Sequence, residues 1–102
     1  MNIKQEIEFI FFKRGRLRMI SHLDLMRLFM RALRRAAIPV KISQGFNPHP
    51  KLSIVRALKV GMESPAETAR VELREPLAPM EFLRALNEQL PEGIRVTQAH
   101  VR

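Results

Sequence analysis

An α+β sandwich, with two helices packed on one face of a four- or five-stranded sheet, is the fold this sequence predicts. Two amphipathic helical stretches alternate with short runs in which apolar and charged residues take turns, and no internal repeat interrupts that order. The 102 residues suffice for one domain, and 46% of them are apolar, enough to build a modest core.

The elements follow in chain order. "EIEFIFF" (6–12) puts Ile7, Phe9 and Phe11 on one face, the period of a strand. A basic turn, "KRGRLR", bends around Gly15, and "SHLD" offers Ser21 as a helix N-cap with Asp24 three residues on. The helix spans 22–37. At 100° per residue Leu25, Leu28, Phe29, Ala32, Leu33 and Ala36 share one side, and Arg27, Arg31, Arg34 and Arg35 the other. Met19, Met26 and Met30 flank the apolar stripe. Pro39 turns the chain away, because the residue before a proline is pushed out of the helical region.

"VKIS" (40–43) reads as a short strand and "KLSIVRALKVG" (51–61) as a longer one. "MESPAET" is a loop, and "ARVELRE" (69–75) alternates Val71 and Leu73 with charges. A second helix occupies 79–90, opened by Pro79 and closed by Pro91, with Phe82, Leu83, Leu86 and Leu90 as its stripe. "IRVTQAHV" (94–101) is the last strand. The order β-α-β-β-(β)-α-β is that of a ferredoxin-like sandwich. With 40–43 parallel to the first strand, the crossover rule returns 44–50 to the end where the 13–20 turn and Ser21 lie. "KRGRLRMISH" and "SQGFNPHPK" then share one edge; if 40–43 stays out of the sheet, the second strand is 51–60 and the loop begins at the opposite end.

Charge narrows the partner. Residues 13–62 carry twelve Lys and Arg against one acid, Asp24, and hold all of the excess behind the net +8. Such a one-sided field favours a polyanion, and nucleic acid is the expected class, with RNA or another anionic substrate as the ligand. With no cysteine there is no thiolate metal site, disulfide or iron–sulfur ligation. No apolar run is long enough for a bilayer, and "MNIKQEIEF" lacks the pattern of a secretory signal, so no membrane partner and a cytoplasmic location are expected.

The candidate anion-binding residues are Lys13, Arg14, Arg16, Arg18, Ser21, His22, Ser43, Gln44, Asn47, His49 and Lys51, with Arg27, Arg31, Arg34 and Arg35 as a basic helix face. In the loop, Gly45 permits a positive φ, Pro48 and Pro50 stiffen the chain, and Phe46 anchors the turn in the core or stacks on a base. Anchoring is the expectation. An enzymatic alternative makes His22 and His49 an acid/base pair on RNA, with Lys51 or Arg18 steadying the phosphate. A third reading is a structural domain whose basic face docks an acidic protein surface. The spacing of the histidines and Asp24 matches no metal motif, and no cofactor is expected.

Gly15 to Arg18, Ser21 to Asp24 and Ser43 to Pro50, read as Gly-Arg-Leu-Arg, Ser-His-Leu-Asp and Ser-Gln-Gly-Phe-Asn-Pro-His-Pro, resemble the N-terminal half of the radical-SAM-linked protein family. The resemblance covers most of the chain. It implies an uncharacterised domain fused to, or encoded beside, cobalamin-binding-type radical SAM proteins, and members about twice this length. A radical SAM enzyme is therefore the implied protein partner. With no cysteine for a cluster, radical SAM catalysis has to come from another polypeptide or a fused region, and the leading expectation for this chain is a non-catalytic recognition module.

Overall fold

The computed structural model describes residues 5–57 and 59–102. Residues 1–4, part of the stretch read for a signal, and Leu58, inside the expected 51–61 strand, lie outside them. Strands β1 (Gln5–Lys13), β2 (Leu52–Ile54), β3 (Ser64–Leu73) and β4 (Ile94–Val101) form one sheet in the order β2-β3-β1-β4. Each neighbouring pair is antiparallel, so β1 and β2 run parallel with β3 between them. Helices α1 (His22–Arg35) and α2 (Pro79–Asn87) cover one face. This is the expected α+β sandwich, ferredoxin-like in strand order.

Strand alternation builds the core. Ile7, Phe9 and Phe11 of β1, Ala69, Val71 and Leu73 of β3, and Ile94 and Val96 of β4 are buried on the helix-facing side. Leu25, Phe29, Ala32 and Leu33 of α1 and Phe82 and Leu86 of α2 meet them. Phe9 sits at the centre, its ring centroid 5.6 Å from Phe29 and 5.4 Å from Phe82. Ser21 caps α1 as expected, its Oγ accepting the Asp24 N–H at 3.1 Å.

The connection between α1 and β2 departs from the expectation. Residues 40–43 form no strand. Val40 makes an isolated bridge to Leu73 and Ile42 one to Pro50. Pro39 and Pro50 have no N–H to extend a ladder, which limits each pairing to single contacts. The expected 51–61 strand shrinks to three residues, whereas β3 begins at Ser64, inside the stretch read as a loop. A register shift between Phe11 and Lys13 absorbs Pro65 and Ala66 and lets β3 start that early.

Two backbone positions control the ends. Ala37 closes α1 with φ +57, its N–H donating to the Arg34 carbonyl at 3.0 Å while Ile38 N–H reaches Leu33 O at 3.2 Å. Gly93 packs against the turn after β1, where a Cβ would stand 2.6 Å from the Arg14 carbonyl oxygen. Ala37→Gly should stabilise the fold by about 1 kcal/mol, because an L side chain in the left-handed region is strained. In a domain of this size that raises the melting temperature by about 4–8 °C. Gly93→Ala should lower stability by about 1–3 kcal/mol in the same melts.

Candidate anion-binding surface

Strand register sets where the basic residues go. β1 rises to Lys13, and the 3₁₀ turn Gly15–Met19 and the start of α1 follow at that end. α1 then descends. Val40 pairs with Leu73, and Leu52 with Val71, at the end where β1 begins. The 43–49 loop therefore stands at the opposite end from the 13–21 turn, and the expected shared edge does not form. Its premise, a strand at 40–43 running up beside the others, fails because that segment stays at the foot of β3.

At the turn end, Lys13 is buried rather than presented to a ligand. It continues the inward alternation of Ile7, Phe9 and Phe11, and its Nζ donates to the Lys59 carbonyl at 3.2 Å. Burial pushes its pKa down from the ordinary lysine value, and Glu67 counters part of that. Buried Glu67 accepts from Arg56 Nε at 2.9 Å and Nη2 at 2.6 Å, and from Ser64 Oγ. The Arg56 hydrogen bonds hold its carboxyl below the usual range, against desolvation.

The remaining cations at this end are largely engaged. The Arg14 guanidinium lies 3.7 Å from the Phe12 ring centroid, and Arg18 Nη1 donates to the Gly15 carbonyl at 3.0 Å. Gly15 N–H donates to Glu63 at 2.7 Å. A cavity of about 660 Å³ here has Arg14 and Arg16 on its wall, but also Glu63 and Glu92. Two carboxylates beside two guanidiniums cancel much of the attraction for an anion. His22 is half-buried, and its enclosed Nδ1 has no hydrogen-bond partner among the described residues.

Along α1 the arginine face is as the periodicity predicts. Arg27, Arg31, Arg34 and Arg35 are all exposed. Arg27 meets Asp24 at 3.4 Å, and the other three have no carboxylate within ion-pair distance among the described residues. The row runs down the helix towards the loop end.

The 43–49 loop is a hairpin closed by Ile42 and Pro50, with Ser43 N–H donating to His49 O at 2.8 Å and Lys51 N–H to Lys41 O at 2.9 Å. Gly45 takes φ +131, the positive value expected of it. Side chains brace the turn. His49 N–H donates to Ser43 Oγ at 3.1 Å, and His49 Nδ1 lies 2.9 Å from the Asn47 carbonyl. A carbonyl only accepts, so Nδ1 carries the hydrogen and Nε2 is the ring's other hydrogen-bonding atom. Gln44 and Lys51 are exposed. Phe46 is fully exposed at the tip, which overturns its expected anchoring role. The core beneath is already filled by Phe9, Phe11, Phe29 and Phe82, and the hairpin carries residue 46 away from it.

Between the loop and the end of α1 lies a groove of about 440 Å³. Arg34, Arg74 and His49 stand on it, and Ile38, Val40, Ile42 and Pro50 supply apolar wall. Arg74 was missed at the sequence level because it falls outside the basic 13–62 zone. Its N–H donates to Pro39 O at 2.9 Å, a long-range pairing that local composition does not signal. His22 and His49 are separated by the length of α1, roughly 20 Å at 1.5 Å per residue. They share no site as an acid/base pair.

A family described as an uncharacterised protein conserved in bacteria, DUF2344, matches residues 6–101. The chain belongs to that family. No curated protein matches it. The family span includes both helices, all of the sheet but Gln5, and both basic ends.

The Glu67 pair gives a pH signature. A carboxyl held below its ordinary value of 4.5 in the fold stabilises the protein above that pH, and the contribution is lost as pH falls through the folded value. Glu67→Gln should cost about 1.5–3 kcal/mol at neutral pH, the usual worth of hydrogen bonds to a charged group. The deficit relative to the parent should shrink below about pH 4. Thermal melts of both proteins between pH 3 and 7 check this.

Proposed function

We propose that this chain is a non-catalytic recognition module that binds RNA and works with a radical SAM enzyme. The observation that carries the RNA reading is the row of exposed Arg31, Arg34 and Arg35 on α1, unpaired among the described residues, which leads to the groove flanked by Arg34 and Arg74. Surface arginines with no local carboxylate gain nothing from intrahelical pairing, and a phosphate backbone gains most from a row of this kind. The non-catalytic reading is supported by the roughly 20 Å of helix between His22 and His49, which parts that acid/base pair. The radical SAM partner is supported by the resemblance of residues 15–18, 21–24 and 43–50 to the radical-SAM-linked family. A cytoplasmic setting accords with that role, and among the described residues no helix is long and apolar enough to cross a membrane.

Fluorescence anisotropy with a short labelled RNA across a salt series tests the surface. Binding should weaken steeply with salt, and Arg31→Ala/Arg34→Ala/Arg35→Ala should reduce the log–log slope by about 2, at about 0.7 per single-strand phosphate contact. Arg16→Ala/Arg18→Ala should leave the slope near the parent's. The reverse pattern would move the surface to the turn end. Absence of RNA binding at low salt would remove the RNA reading and leave an acidic protein surface as the partner. Co-elution of the chain with a radical SAM protein tests the enzyme partnership separately.

A further inference from the structure

The 43–49 loop supplies something that a phosphate-binding surface does not need. Phe46 stands at the tip of a hairpin with every face of its ring in solvent, so the ring is open to a partner. The hairpin is held rigid: Ser43, Asn47 and His49 are tied to one another at 2.9–3.2 Å, and Pro48 and Pro50 fix the backbone of its returning arm. A ring on a braced loop is presented with little ordering entropy left to lose on binding.

The surroundings define the ligand. Two residues beyond Phe46, Pro48 forms one wall of the groove, whose floor includes Ile38, Val40 and Ile42. Arg34 and Arg74 flank it, and among the described residues no carboxylate is on its lining. Its volume, about 440 Å³, is within the range that holds small ligands, roughly 300–1,000 Å³. A flat apolar face beside an apolar slot with two guanidiniums suits one chemistry: planar rings joined to phosphates. In a duplex those rings are stacked and paired, and a convex loop tip cannot reach their faces.

We infer that this end of the surface reads unpaired nucleotides, with Phe46 stacking on one base while the groove takes its neighbour, ring against Ile38, Val40 and Ile42 and phosphate between Arg34 and Arg74. The inference rests on the RNA reading above and deepens it from an anionic polymer to a single-stranded one. The arginines of α1 hold the backbone in either form, and the loop supplies the preference for the unpaired form.

The chain has no tryptophan or tyrosine, so Phe46→Trp places a single reporter at the loop tip. Phe46 touches no core residue, so neither this change nor Phe46→Ala should shift the thermal melt. A single-stranded RNA of about a dozen nucleotides should quench the Phe46→Trp emission on binding, and the same strand annealed to its complement should not. Phe46→Ala should weaken single-strand binding by about 5- to 150-fold, the range that one base–aromatic stack supplies, with duplex binding unchanged. Arg34→Ala/Arg74→Ala should weaken both forms. Equal quenching by duplex, or equal loss on both forms with Phe46→Ala, would overturn the inference while leaving RNA binding intact. Failure of the parent to bind either RNA would overturn the inference and the reading beneath it together.

Discussion

The packing of Phe9 against Phe29 and Phe82 is the contact on which the rest of the molecule depends. Phe9 lies on β1, an interior strand of the sheet, and its ring meets one ring from each helix. Each such pair is worth about 0.5–1.5 kcal/mol beyond the area it buries. Burial of a whole phenylalanine contributes more, about 1.5–3 kcal/mol, so the stability comes from burial and the ring geometry selects the seating. Once Phe29 faces inward, the helical period leaves Arg31, Arg34 and Arg35 on the outer surface. The arrangement that builds the core therefore also builds the basic row.

Electrostatics differ sharply among the surfaces this core leaves exposed. On the open face of the sheet, Glu8 meets Arg70 at 2.8 Å and His100 at 3.0 Å, with Arg102 at 4.0 Å, and the Arg70 hydrogen bond holds the Glu8 carboxyl below its ordinary range. That face is charge-balanced. The turn end mixes arginines with Glu63 and Glu92, and its lysine is turned inward beneath the 59 carbonyl. Exposed ion pairs such as Arg84 with Glu81 and Glu88 contribute little to stability. Arg31, Arg34 and Arg35 on the outer face of α1, and Arg74 on the adjoining groove, are where positive charge stands with no carboxylate within ion-pair distance among the described residues.

The same comparison explains the connection between α1 and β2. A chain that left α1 and entered the sheet at once would have returned the 43–49 loop to the helix start. Instead, residues 39–42 lie across the foot of β3, Lys41 N–H donating to Glu72 O at 2.8 Å and Glu72 N–H to Lys51 O at 3.1 Å. One residue of β3 thus ties both arms of the hairpin. The loop projects from that foot, beside the last turn of α1, and the groove exists because the two converge there.

Much of this was legible in the sequence because it depends on period and on local chemistry. Alternation placed Ile7, Phe9 and Phe11 inside, the 100° step divided α1 into apolar and arginine sides, Ser21 capped the helix, and Gly45 took its positive φ. β4 occupies 94–101 as its pattern predicts. Other features follow from contacts between residues far apart in the chain, to which local patterns are blind. Val40 and Ile42 alternate like a strand, yet prolines at 39 and 50 reduce them to isolated bridges. Lys13 belongs to a basic run, yet the pleat of β1 turns it into the core. Phe46 reads as an anchor by composition, yet the hairpin points it into solvent because the core already holds its four rings. Composition and spacing determined which residues could form a helix, a strand or a cation-rich face. Which end of the sheet each loop occupies was decided by strand pairing, because register is fixed only when distant segments meet.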